Sequence, residues 1–318
     1  MRATPGRQAR APRATLWLAC VASGSLAACE LQEITVVDFE DVVVAEVFVT
    51  LREPPDESSL IAFLHGAVAG GRSDSRSFDD ALVRVARSDG LAIDLTVVAT
   101  SECVDTLPDD ATGTCFTADP LLAAQLAPGD ALDLEITLGS GAGDALGALV
   151  LPGDFAVSGL AGECRIVPDT TFDVLWSRSA GAWAYINETR IEGLDAALDP
   201  EGIEADDPLY LLGLSVSASD TTVVFPSEFG VFDRFDLDQD LAVRLQRGLP
   251  DGTRADVSIA AVERNYVNWV RGGNFNPSGL VRVSSLRGAA SGVFGGVVVR
   301  DFAVVTSTGP IVGVPECF

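Results

Sequence analysis

Between residues 81 and 98 the chain reads ALVRVARSDGLAIDLTVV, aliphatic and polar residues alternating on either side of Asp89-Gly90. Successive side chains of a strand point to opposite faces, so a period of two marks a half-buried strand. Asp-Gly between two such runs is a strong hairpin signal. Similar runs recur at VVVAEVFVTL (42–51), LIAFLHGAVAG (60–70) and ALDLEITLG (131–139). Their spacing predicts a β-sandwich of roughly 120 residues. ALGALVLPGDF (145–155) closes it, and Pro152-Gly153 marks a boundary.

The second half again reads as strand. VLWSRSAGAWAYINET (174–189) has the form of a hairpin turning at SRSAG, LYLLGLSVSASDTTVVF (209–225) supplies a further strand pair, and GVFGGVVVRDFAVV (292–305) a last strand. In AVERNYVNWVRGG, Val262, Tyr266, Trp269 and Val270 fall at helical spacing and Gly272-Gly273 provides a stop. The expected fold is therefore mainly β. It comprises an N-terminal Ig-like or transthyretin-like β-sandwich over 29–158 and a second β-rich domain with one short helix over 159–318.

What precedes residue 29 is of another kind. Arg2, Arg7, Arg10 and Arg13 lead, without any acid, into the apolar stretch 16–28, the n-region and h-region of a secretory signal. That stretch falls short of the ~20 residues that span a bilayer. Leu26-Ala27-Ala28-Cys29 resembles the lipobox of bacterial lipoproteins, whereas Cys20 has Trp17 and Leu18 where small residues are required. On this reading residues 1–28 are removed and the Cys29 thiol takes a diacylglyceryl group. Two or three acyl chains anchor a protein stably where one does not. Glu30, in place of the aspartate that resembles an inner-membrane retention signal, favours the outer membrane. A transmembrane barrel is disfavoured, because Pro310 and Pro315 interrupt the last strand before Phe318.

Charge narrows the partners. The formal net charge is -25 and all 21 basic residues are arginine. Nucleic-acid binding depends on a basic surface, so nucleic acid is not expected as a partner. Besides the lipidated Cys29, four cysteines remain after processing, an even number that in an exported chain suggests disulfides. Cys103 and Cys115 flank VDTLPDDATGT and are expected to close that loop, leaving Cys164 to tie the second half to Cys317. No CxxC spacing or nearby histidine favours a metal instead.

No catalytic constellation stands out. The one histidine, His65, lies in a strand run without a GxSxG elbow. GAVAGGRSDS (66–75) lacks the lysine of a phosphate loop. In FDRFDLDQD, Asp233, Asp236, Asp238 and Asp240 present oxygens that suit calcium. The simpler reading is a solvated face opposite Phe232, Phe235 and Leu237, and calcium is the only cofactor entertained. Trp176, Trp183, Tyr185, Tyr266 and Trp269 serve either a core or a ligand cleft. Arg271, Asn274 and Asn276, in RGGNFNPSG, offer hydrogen-bonding groups for binding at a helix end.

The lipobox, the DDALVRV hairpin, and ERNYVNWVRGGNFNPSGLVRVSSL leading to GVFGG together resemble the DUF4249 lipoproteins over most of the mature chain. Asn276-Pro277-Ser278 departs from the Asn-Pro-Phe usual there and implies a divergent branch. The resemblance implies two β-rich domains and an envelope role, with a TonB-dependent transporter as one partner served. It supplies no catalytic residue. The expected function is a non-enzymatic, lipid-anchored outer-membrane protein that binds a protein partner or a solute. The alternatives are a glycan hydrolase using paired carboxylates and a structural envelope-assembly protein.

Overall fold

The computed structural model describes residues 42–66, 77–103, 112–141, 143–160, 162–215, 217–228, 239–272 and 283–317, which belong to one compact unit. The chain is mainly β. The strands are β1 (Val43–Leu51), β2 (Ser59–Gly66), β3 (Leu82–Arg87), β4 (Ala92–Val98), β5 (Gly113–Thr117), β6 (Ala131–Leu138), β7 (Gly143–Val150) and β8 (Gly162–Ile166). They continue with β9 (Phe172–Leu175), β10 (Ala184–Glu192), β11 (Leu209–Leu214), β12 (Thr222–Phe225), β13 (Arg254–Val262), β14 (Arg287–Gly288) and β15 (Ala290–Thr306). The helices are α1 (Pro120–Ala123), α2 (Leu194–Leu198), α3 (Gln239–Leu245) and α4 (Arg264–Gly272). The single short helix expected is thus joined by three others. Two of them have five residues or fewer, too short for a helical period to register in sequence.

The first half is sandwich-like. β1, β2 and β5 pair in sequence, and β3, β6 and β7 pair in sequence. β4 links the two sets: Ala92–Leu95 bond β3 while Thr96–Val98 bond β5. The expected turn at Asp89-Gly90 joins β3 to β4, with Gly90 at φ +101°. Strict alternation fills the interior, with Val43, Ala45, Val47 and Val49 from β1 and Leu132, Leu134 and Ile136 from β6 all buried. Each valine, leucine or isoleucine among them contributes about 1.5–3 kcal/mol on leaving water.

β15 is the spine of the molecule. One edge pairs in parallel with β1 over Ala290–Val298 and then with β8 over Phe302–Thr306, and the other pairs with β13 over Val297–Val305. β13, β10 and β11 continue this sheet to its edge. Backbone hydrogen bonding therefore runs across the division expected at residue 158.

The second-half strands pair otherwise than their sequence order suggests. β9 bonds β12 and β10 bonds β11, so the hairpin expected at SRSAG does not form, and the two strands within 209–225 pair with other strands rather than with each other. Alternation fixes which face of a strand is buried but does not choose its neighbour. Both expected disulfides are present, Cys103–Cys115 with Cα atoms 5.7 Å apart and Cys164–Cys317 at 5.1 Å.

α4 starts two residues later than the helical spacing suggests, because Val262 is the last residue of β13 and Glu263 precedes the helix. Its cap is Glu263, a buried carboxylate. Oε2 accepts from the Asn265 amide at 2.5 Å, and Oε1 accepts from Tyr266 at 2.7 Å and Gly296 at 3.4 Å. Short polar residues usually cap helices. Here the longer side chain also reaches β15, joining helix to sheet.

Burial raises the Glu263 pKa above its ordinary 4.5, the backbone amides opposing that shift. A native-state pKa above the unfolded one means that the folded chain holds the proton more tightly. That stabilisation is complete below pH 4.5 and is lost as pH rises through the folded-state value. The urea midpoint of the wild type should therefore fall, relative to that of Glu263→Gln, as pH is raised from below 4.5. A constant difference would show that the carboxyl titrates alike in both states.

Candidate functional site

A cleft of about 460 Å³ opens between β10 and the two-stranded β9–β12 ribbon. On β10, Tyr185, Asn187, Thr189 and Ile191 share one face by the two-residue repeat. Tyr185 is buried and its hydroxyl accepts from the Ser179 amide at 2.7 Å. Trp176, just beyond β9, meets the Tyr185 ring edge-on with centroids 5.4 Å apart. Both rings line the cleft together with Asn187, Asp220, Thr222 and Glu228.

Asn187 depends on a gap in the neighbouring strand. It pairs across to Gly213 of β11, where a Cβ would lie 2.1 Å from Asn187 Oδ1. Only glycine leaves that space.

The polar groups of the cleft are unbalanced. Trp176 Nε1 and Asn187 Nδ2 are buried and have no hydrogen-bond partner among the described residues. Thr189 Oγ1, one step along the same face, shares that condition. A buried unsatisfied polar group costs about 1–3 kcal/mol, and each one invites an explanation. The carboxylates of the cleft are partly engaged. Asp220 Oδ2 accepts from the Ser217 amide at 2.9 Å, and Glu228 Oε2 accepts from the Val224 amide at 2.8 Å. Among the described residues no arginine lines the cleft.

A second cleft, of about 470 Å³, lies between β6–β7 and the start of α4. Its half-exposed Trp183 carries the Arg264 guanidinium 5.1 Å from the ring centroid. Asn265 Nδ2 donates to the carbonyls of Ala148 and Phe294 at 3.2 and 3.0 Å, so its polar groups are met within the protein.

Of the residues singled out in the sequence, Cys29, Asp233, Asp236, Asp238, Asn274 and Asn276 lie outside the described residues. Asp240 stands in the first turn of α3, and Arg271 in the last turn of α4. Among the described residues no group of three or more His, Cys, Asp or Glu is placed to hold a metal ion. His65, on β2, sets Nδ1 2.9 Å from the Gly66 carbonyl oxygen and stacks on Phe63 at 5.2 Å. The aromatic set divides. Trp176 and Tyr185 reach the first cleft, Trp183 the second, and Tyr266 packs edge-on against Phe48. Sequence reasoning missed Asn187, although an amide inside the strand run AYINETRIE was a signal.

The fold and disulfides define a mainly β, sandwich-like protein closed by two covalent ties. No protein-family model and no curated protein matches the chain. A crystal structure of a DUF4785 family protein from Legionella pneumophila is similar at 12% identity with a TM-score of 0.19, over 68% of this chain. The match spans 51% of that protein's own chain.

Proposed function

We propose that the chain is a lipid-anchored protein of the bacterial outer membrane that binds a small solute in the Trp176–Asn187 cleft without transforming it. The observation that carries this reading is the pair of buried donors, Trp176 Nε1 and Asn187 Nδ2, left without acceptors beside a cleft of ligand size. Both donor atoms lie beneath the surface of the cleft, and a bound molecule would supply the missing acceptors once these side chains turn to meet it. The anchor rests on Cys29 and the arginine-led signal before it. The resemblance to the DUF4249 lipoproteins supports the envelope role and makes a TonB-dependent transporter the protein partner to which a captured solute would pass.

Two carboxylates in one cleft also suit glycan hydrolysis, where an acid and a base face each other across the bond. Binding without turnover is the better supported reading, since Asp220 and Glu228 each already hold a backbone amide of their own turn.

Cys29→Ser is expected to abolish palmitate incorporation and to release the protein from vesicles, which labelling and flotation would report. Persistent labelling would refute the anchor. Reducing ends released from envelope glycans by the wild type, and lost in Asp220→Asn, would replace binding by hydrolysis.

A further inference from the structure

We infer that the solute is an uncharged polyhydroxylated molecule, a saccharide unit being the simplest. This rests on the solute-binding reading above and goes on to the chemistry of the ligand. Two residues of the cleft lining carry buried donors without acceptors: the indole N–H of Trp176, a residue 7% exposed, and the amide of Asn187. Two others offer acceptors, the carboxylates of Asp220 and Glu228. A ligand satisfying both must donate and accept over a short distance, as hydroxyl groups do.

Charged alternatives each fail on one of these pairs. An anion would meet two carboxylates, with no arginine in the lining among the described residues, in a chain of net charge -25. An ammonium ion would suit the carboxylates but has no lone pair for the Trp176 and Asn187 donors. A purely apolar molecule would leave the Trp176 and Asn187 donors buried and unmet. The rest of the lining fits the C–H faces of a sugar ring, with Val223 and Ile259 beside the two aromatic rings. Gly213 belongs to this design, because any side chain there would push the Asn187 amide from its place.

Calorimetric titration of the full-length chain in detergent tests the assignment, with glucose, galactose, N-acetylglucosamine and chitobiose as neutral probes, glucuronate as the anion and choline as the cation. At least one neutral probe should bind. Trp176→Phe, which keeps the ring but removes the N–H, should weaken that binding about tenfold, as should Asn187→Leu. In the unliganded chain Asn187→Leu should raise the melting temperature, since it removes an unmet buried donor. A residue with a merely structural role would lower it. Thr189→Val, on the same face outside the cleft lining, should also raise the melting temperature and leave binding unchanged.

Binding of glucuronate or choline alone, abolished by Trp176→Phe, would overturn the ligand class and keep solute binding. No heat with any probe, together with no small molecule released from protein purified out of native membranes, would overturn both. Binding of a neutral probe that is indifferent to both cleft variants would place the site elsewhere and refute the assignment.

Discussion

Cys317→Ser is expected to lower the free energy of unfolding by about 5 kcal/mol, the largest single loss among these predictions. The bond joins residues 153 apart in sequence, against 12 for Cys103–Cys115. In the chain-entropy account a cross-link stabilises by restricting the unfolded ensemble, and the restriction grows with the closed loop, so the shorter bond is worth about 3 kcal/mol. The native side of the balance moves the same way. The Arg165 amide donates to the Pro315 carbonyl at 2.7 Å, and the Cys317 amide returns a bond to Arg165 at 2.9 Å. The buried Arg165 guanidinium donates to the Ser307 carbonyl at 2.7 Å and pairs with Glu316. Freeing the tail leaves that guanidinium short of its carboxylate. Urea midpoints of Cys317→Ser and Cys115→Ser, compared under oxidising conditions, check the order. A larger loss for Cys115→Ser would show that loop length does not govern these two bonds.

Gly292→Ala is expected to cost about 4 kcal/mol or more, well beyond an ordinary surface substitution. Gly292 has φ +141°, and a Cβ there would stand 2.0 Å from the Ala45 carbonyl oxygen, its direct partner across β1–β15. The obstacle is backbone, which cannot rotate aside as a side chain can. Gly292 is also held on its other flank, its amide donating to Ser284 Oγ at 3.0 Å while its carbonyl accepts from the Ser285 amide at 2.9 Å. Strain and displacement therefore fall together on the seam that joins the two halves of the chain. Thermal unfolding would report the loss. A shift no larger than that of Gly309→Ala, where a Cβ would meet nothing within 4 Å, would refute the clash.

What could be read from sequence was what local chemistry decides. The β3–β4 hairpin follows from one Asp-Gly turn, α4 from a helical repeat, and Cys103–Cys115 from the short polar loop between its cysteines. The order of β9 to β12 could not be read, because neighbours are chosen by packing between segments far apart in sequence. Asn187 and Gly213 have no significance separately; the glycine has its meaning only once it is opposite the amide. Gly292 likewise looks like any small residue in an apolar run until Ala45 lies across from it. The aromatic residues were recognised as candidates, but whether each served core or cleft depended on pairings that period-two alternation does not encode.

The parallel ladder between Val43 and Ala290 has a temporal consequence. On the proposed export route β1 emerges from the channel long before its partner β15, so one border of the folding sandwich stays open until that distant strand has followed. Such high contact order slows folding, and an open strand border recruits stray chains. The molecule thus becomes safe from misassociation only when β15 arrives, and loss of residues 290–298 would leave that border bare.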